Sequence, residues 1–408
     1  MNKTEPAKEF SVSSSRNEFL SGRAFSILER REFLRHMALG STVCSLLPSS
    51  SVRGGGATDR TRQAETTPLH PGMGMPGLFP GKVVEVKSPS VILQNHVNVS
   101  VVEKMLALGM TELTGAPAAS KAWQTFFHKE DVVGIKVNAS GVPGCVSSPE
   151  IVNEVIQGLS ELGVPPRNII LYERFADQLD MAGYQAYVPN KVGIVGLEGI
   201  RQDLAAYDKD VYLDVEFFGE EETRSYLAKL VSSRVTKIIN IPCLKDHDAA
   251  GVTGCLKNIA YGSFNNVARS HKFPKSHTKT FIGQLANVEP LRSKTVLQIM
   301  DGLRGIYHGG PFAPNQKFLW FPGLIYLGTD PVAIDRIELE VIEAKRREMG
   351  VISLWDHSPE HLVQDNTWTQ DANKNAFFRE PGHIEHASTL GLGIGEIDKI
   401  QHRQLVVG

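Results

Sequence analysis

No stretch of this sequence approaches the roughly 18 consecutive uncharged apolar residues that a membrane-spanning helix needs, so nothing in it reads as a span. Basic residues do not outnumber acidic ones. Lys and Arg number 43 against 45 Asp and Glu, a formal charge of −2, and the electrostatic footprint of a nucleic-acid-binding protein is missing. Cysteine is scarce, four in 408 residues, and no two are spaced C-x-x-C. Beyond the N-terminal segment only Cys145, Cys243 and Cys255 remain. Three thiols cannot all pair within one chain, and they are too few for a ferredoxin-type cluster held by four thiolates. The balance of 41% hydrophobic and 22% charged residues is that of an ordinary globular protein, which excludes disordered, collagenous and coiled-coil classes. A chain of this length can bury a large core without metal or disulfide staples.

Residues 1–57 differ from the rest. They are Ser-rich and carry eight Lys or Arg against five Glu, whereas the remainder is net acidic. Arg30 and Arg31 precede a short, weakly apolar stretch at residues 37–47, too short to span a bilayer. Paired arginines ahead of such a stretch resemble a twin-arginine export signal. That resemblance implies the twin-arginine export machinery as a partner and a periplasmic or otherwise exported mature protein. Residues 58–80, rich in Gly, Pro, Thr and Met, read as a linker. Residues 81–350 read as the core, and the more polar residues 351–408 as a loop-rich C-terminal extension.

Within the core, apolar runs alternate with segments of helical spacing. Residues 83–86, 132–137, 168–171, 192–195, 235–241, 295–300 and 324–327 are near-continuous apolar runs of the kind that become buried parallel strands. Ser148-Pro149 sets an N-cap with Pro at the first helical position, and Ile151, Val155, Leu159 and Leu162 follow at helical spacing until Gly163. Residues 223–231 read as a helix, and Asp330-Pro331 opens a long one ending near Met349. This rhythm predicts an α/β fold with a largely parallel sheet flanked by helices. The run Gly391-x-Gly393-x-Gly395 has no long helix after it to present to a phosphate and reads as a turn.

Chemistry-bearing residues concentrate in residues 245–277. Lys245, Asp246, His247, Lys257 and His271 fall within 27 residues, following a predicted strand, where open α/β sheets place ligands. His247 suits proton transfer, since an imidazole titrates near neutrality. Lys257, in an apolar and Gly-rich setting, suits a desolvated amine acting as nucleophile or cofactor tether. His271 adds an imidazole of the kind that ligates transition metals. Each of these can equally be a loop residue without chemistry. A second group, Asp301-Gly302-Leu303-Arg304, follows the predicted strand 295–300, and Arg304 suits bidentate binding of a carboxylate or phosphate. Lys136 and Asn138 end another strand and face the same crevice in this reading, with a solvated strand end as the plain alternative.

The run Gly134-Ile135-Lys136-Val137-Asn138, the pair Lys245 and His247, the stretch Gly254-x-x-Lys257-Asn258 with His271, Asp301-Gly302 and Asp330-Pro331-Val332-Ala333-x-Asp335 together resemble the bacterial family called domain of unknown function 362, over about residues 130–340. A more distant similarity is to the nickel-pincer lactate racemases. It implies His247 as an acid/base, Lys257 as bearer of a covalent nickel cofactor and His271 as nickel ligand. Lys136, Asn138, Lys245, Asn258, Asp301 and Arg304 are then the substrate-binding set. The resulting expectation is an exported metal- or cofactor-dependent enzyme, an isomerase or oxidoreductase, acting on a small anionic or hydroxylated substrate. The alternative is an exported binding protein that holds an anionic ligand without chemistry.

Overall fold

The computed structural model describes residues 72–199, 204–312 and 314–408. The paired arginines and the apolar stretch at residues 37–47 lie outside the described residues. Nine strands carry the architecture: β1 (Lys82–Lys87), β2 (Val133–Lys136), β3 (Ile169–Phe175), β4 (Gly193–Glu198), β5 (Lys237–Asn240), β6 (Cys243–His247), β7 (Thr295–Ile306), β8 (Leu324–Gly328) and β9 (Gln401–Val406). The principal helices are α1 (Val99–Thr114), α2 (Ala119–Gln124), α3 (Pro149–Glu161), α4 (Gly254–Ser263), α5 (Thr278–Ala286), α6 (Pro331–Glu348) and α7 (His383–Thr389).

The main sheet runs in the order β9-β1-β8-β7-β5-β2-β3-β4. Every neighbouring pair is parallel except the two made by β8, so only β8 opposes the rest along this path. The apolar runs explain why. A strand covered on both faces has no polar side to alternate, and successive residues of one strand enter different cores. Val84, Ile169, Leu171 and Ile239 pack with α1, α2 and α3, whereas Val83, Ile170, Tyr172 and Ile238 pack with α4 to α7. The result is the predicted α/β fold, a largely parallel sheet between two helical layers. Among the described residues no helix is long and apolar enough to cross a membrane.

Several local expectations change. Residues 223–231 are not a helix. Strand Arg224–Ala228 pairs antiparallel with Tyr207–Asp214, and a short π-helical turn, Leu230–Arg234, follows. Its burial alternates along the strand, with Ser225 and Leu227 in and Arg224 out, a period-2 pattern whose partner strand the sequence reading missed. Ser148 stands at the N-cap of α3 but makes no side-chain cap; Asp301 on β7 accepts its backbone N–H at 2.5 Å instead. Residues 72–80 bury Met73 and Met75 in the core, and β9, from the last eight residues of the chain, forms an edge of the sheet.

Candidate functional site

The carboxyl ends of β2, β3, β5 and β6 converge beneath α4, and the crossing is built by one long-range cap. Gly254 has φ +60°, a left-handed conformation that glycine adopts freely. A Cβ there would lie 2.4 Å from the Asp335 carboxyl carbon. Asp335, reaching from α6, accepts the N–H groups of Cys255 and Leu256 at 2.5 and 2.9 Å and so caps α4. Burial pushes its carboxyl up to about 7. All ten residues of α4 are buried, which leaves Lys257, Asn258 and Tyr261 inside the protein.

Two adjoining groups result. The first is a saturated polar network. Lys136 Nζ donates to Glu173 Oε1 at 2.9 Å and to the Val137 carbonyl at 2.5 Å. Asn138 Nδ2 donates to Asn258 Oδ1 at 3.0 Å, and Asn258 Nδ2 to Asn240 Oδ1 at 2.8 Å. Lys245 Nζ donates to Asn138 Oδ1, Ser140 Oγ and the Pro311 carbonyl at 2.7, 2.8 and 3.0 Å, filling its three donors. Lys136, Asn138, Lys245 and Asn258, widely separated in the chain, are thus in one hydrogen-bonded unit. Burial holds the Lys136 amine below its ordinary range despite the Glu173 charge.

The second group is not saturated. Lys257 is 8% exposed, its ammonium sits 4.0 Å over the Tyr261 ring, and it makes no hydrogen bond or ion pair among the described residues. Desolvation, followed by the charges of Lys245 and Arg174, lowers its pKa to about 7 against the pull of Asp248. The rings of His247 and His271 lie 5.5 Å apart, so the two histidines share one site. His247 Nδ1 is 2.9 Å from Asp248 Oδ1 and within 3.1 Å of the Ala249 amide. Burial, then the Lys257 and Lys245 charges, holds His247 well below its ordinary pKa, so the ring is neutral, its Nδ1 accepts the Ala249 amide and the Asp248 contact is not an ion pair. Burial and Lys257 likewise keep His271 neutral. Its Nδ1 meets Ser270 Oγ at 3.1 Å, while Nε2 is buried without a partner.

The sequence reading missed two members altogether. His383, at the start of α7, is fully buried with no well-formed hydrogen bond at either ring nitrogen, and burial beside Lys257 brings it down to about 3. Arg379 is buried too, and its charge helps to depress His247. Both lie more than a hundred residues beyond Lys257 and carry no local signal. Asp301 and Arg304 are placed differently from the histidines. Both Asp301 oxygens are engaged by backbone amides, of Ser148 and Leu303, and burial raises its carboxyl. The Arg304 side chain makes no hydrogen bond to either group among the described residues. Two surface cavities stand out elsewhere, about 710 Å³ beside Lys317 and Asp371 and about 440 Å³ beside Lys87 and Phe321, and neither includes these residues.

The arrangement offers a low-pKa amine, neutral imidazoles with unbonded nitrogens and surplus buried positive charge. Among the described residues no group of three or more His, Cys, Asp or Glu is gathered to hold a metal ion by protein ligands alone. A family model for a domain of unknown function, DUF362, matches residues 133–340, half of the chain, and the chain belongs to that family. No curated protein and no solved structure matches it.

Proposed function

We propose, for this member of the DUF362 family, an exported enzyme that acts on a small anionic or hydroxylated substrate at the cluster of His247, Lys257 and His271. The observation that carries this reading is the Lys257 amine, buried, unbonded and brought to about pKa 7 among neutral imidazoles. A folded protein rarely leaves a buried ammonium without a partner unless the group has work that a partner would prevent. At neutral pH about half of such an amine is free base, which makes it a nucleophile, a proton acceptor or a point of attachment. His247 Nδ1 accepts the Ala249 and Ala250 amides at 3.1 and 3.4 Å, so the neutral ring carries its proton on Nε2 and can give it to a substrate oxygen, while the free-base Lys257 amine takes the proton of a substrate hydroxyl. Lys136, Asn138, Lys245 and Asn258 frame the site as a rigid polar wall.

A tethered metal cofactor fits these residues in donor type, with Lys257 as the attachment and the unpartnered His271 Nε2 as a ligand. Such a group supplies a hydride acceptor when bound. The rival reading, a binding protein for an anionic ligand, draws on the same surplus of buried positive charge. Intact mass and elemental analysis of protein purified from its native host separate the two. Added mass on Lys257, or bound metal lost in both Lys257→Met and His271→Ala, supports the enzyme. A bare polypeptide that releases its ligand chemically unchanged supports the binding protein.

A further inference from the structure

The segment at residues 375–383 lies across the cluster. The N–H groups of Phe378 and Glu380 donate to the carbonyls of Pro274 and Ala249, both at 2.9 Å, and Asn375 Nδ2 donates to the Asp248 carbonyl at 3.1 Å. Pro381 presses on Gly251, where a Cβ would come within 2.8 Å of the proline ring. The Phe377 ring stands 6.0 Å from His271. Through this strap the chain delivers Arg379, whose side chain is 0% exposed.

Arg379 is bonded on one side only. Nη1 donates to the Ser353 carbonyl at 3.2 Å, while Nε and Nη2 are buried with no partner. These two nitrogens share one edge of the guanidinium, with their N–H bonds parallel, and that edge matches the two oxygens of a carboxylate. The acidic groups that Arg379 feels most, Asp246, Asp248, Asp356 and Glu343, leave its Nε and Nη2 without a partner. Asp246 takes Arg346 and the Gly310 amide, Asp248 faces His247, Asp356 faces His361, and Glu343 accepts the Leu354 amide. The open edge therefore has no protein anion to fill it, and His383 adds two unpartnered ring nitrogens.

We propose that Arg379 is the receptor for the substrate's carboxylate, an inference that rests on the enzyme reading of the Lys257 cluster and names the class of substrate it takes. A carboxylate is favoured over a phosphate because its two coplanar oxygens match the two parallel N–H bonds of that edge, and the start of α4 offers a phosphate nothing further. The first amides of α4, which would cradle a phosphate, are already held by the Asp335 carboxylate. A flat, singly charged group needs only the guanidinium edge. The strap closes this edge from solvent, so the bound carboxylate is desolvated, and exchange requires residues 375–383 to part from Ala249 and Pro274.

The test is calorimetric titration of the full chain with propionate and, separately, with inorganic phosphate, in wild type, Arg379→Lys and Lys257→Met. Wild type is expected to bind propionate at least tenfold tighter than phosphate. Arg379→Lys, which keeps the charge and loses the fork, should weaken propionate at least tenfold. Equal propionate affinity in wild type and Arg379→Lys overturns the proposal, as does tighter binding of phosphate or no binding of either. Should Arg379→Lys fail to fold, a crystal of wild type grown with propionate decides: the carboxylate lies on Nε and Nη2, or the proposal is wrong. The two readings fail separately. Metal or added mass on Lys257 without propionate binding removes the subsite and leaves the enzyme reading. Propionate binding that survives in Lys257→Met, with neither metal, mass nor turnover in wild type, does the reverse.

Discussion

Replacing Lys257 by methionine should change how stability depends on pH, and the size of the change follows from the burial of the amine. Methionine keeps the unbranched shape of the side chain and removes only the ionisable head. In the unfolded chain the amine has its ordinary value of 10.5, while in the folded protein it is brought to about 7. Below about pH 7 both states carry the proton, and the folded state bears the whole cost of a buried ammonium. Above the ordinary value neither carries it and the cost vanishes. Between these limits the unfolded state binds more protons, so the lysine protein gains stability as pH rises. At about 1.4 kcal/mol for each pKa unit, wild type should be less stable than Lys257→Met by roughly 4 kcal/mol at pH 7 and roughly 2 kcal/mol at pH 9. Other groups titrate in both proteins and cancel in the difference. Urea unfolding of the two proteins at half-unit steps from pH 7 to 9.5, in buffers free of carboxylate and phosphate, reads it directly. A wild-type-minus-variant difference that stays flat within about 0.5 kcal/mol across that range would show an ordinary lysine. The nucleophile and tether roles would then lose their basis.

Three further outcomes test other parts of the argument. Gly254→Ala should lose roughly 2–4 kcal/mol in urea unfolding, since it strains a left-handed position and drives a methyl into Asp335; a loss below about 0.5 kcal/mol would mean that α4 does not need this cap. Asp330→Ala should lose a comparable amount, because one carboxylate caps α6 through the Ala333 amide and also holds the Gly81 and Ile394 amides; retention of the wild-type thermal midpoint refutes it. Arg30→Lys combined with Arg31→Lys should leave the protein in the cytoplasm when cell fractions are blotted, and normal periplasmic accumulation would end the export reading.

The contrast between Asp330 and Asp301 shows what a motif can and cannot convey. Asp330-Pro331 announces a helix start in adjacent residues, and the structure has Asp330 capping α6 through Ala333 as the pattern suggests. The Gly391 to Gly395 turn wraps the same carboxylate, and a Cβ on Gly393 would collide with Asp330 Oδ1. Asp301 follows a strand like a ligand-binding residue but caps α3 from across the sheet. The two roles look alike in sequence because both place a carboxylate just after an apolar run.

By itself the sequence determined those features whose cause is local. Near-continuous apolar runs made buried parallel strands, since a run with no polar side can be satisfied only by cover on both faces. The helical spacing after Ser148-Pro149 made α3, and the density of His and Lys in residues 245–277 marked the ground where His247, Lys257 and His271 meet. Tertiary structure decided everything that depends on a distant partner. It reversed β8 within the sheet, turned residues 224–228 into a hairpin strand and started α4 with a carboxylate from α6. It also brought His383 to Lys257 and Arg379 to His247 from more than a hundred residues away. A charge has an ordinary pKa until burial removes water and the fold fixes its neighbours. The chemistry of Lys257 therefore belongs to the folded chain, although the lysine is plain to read in the sequence.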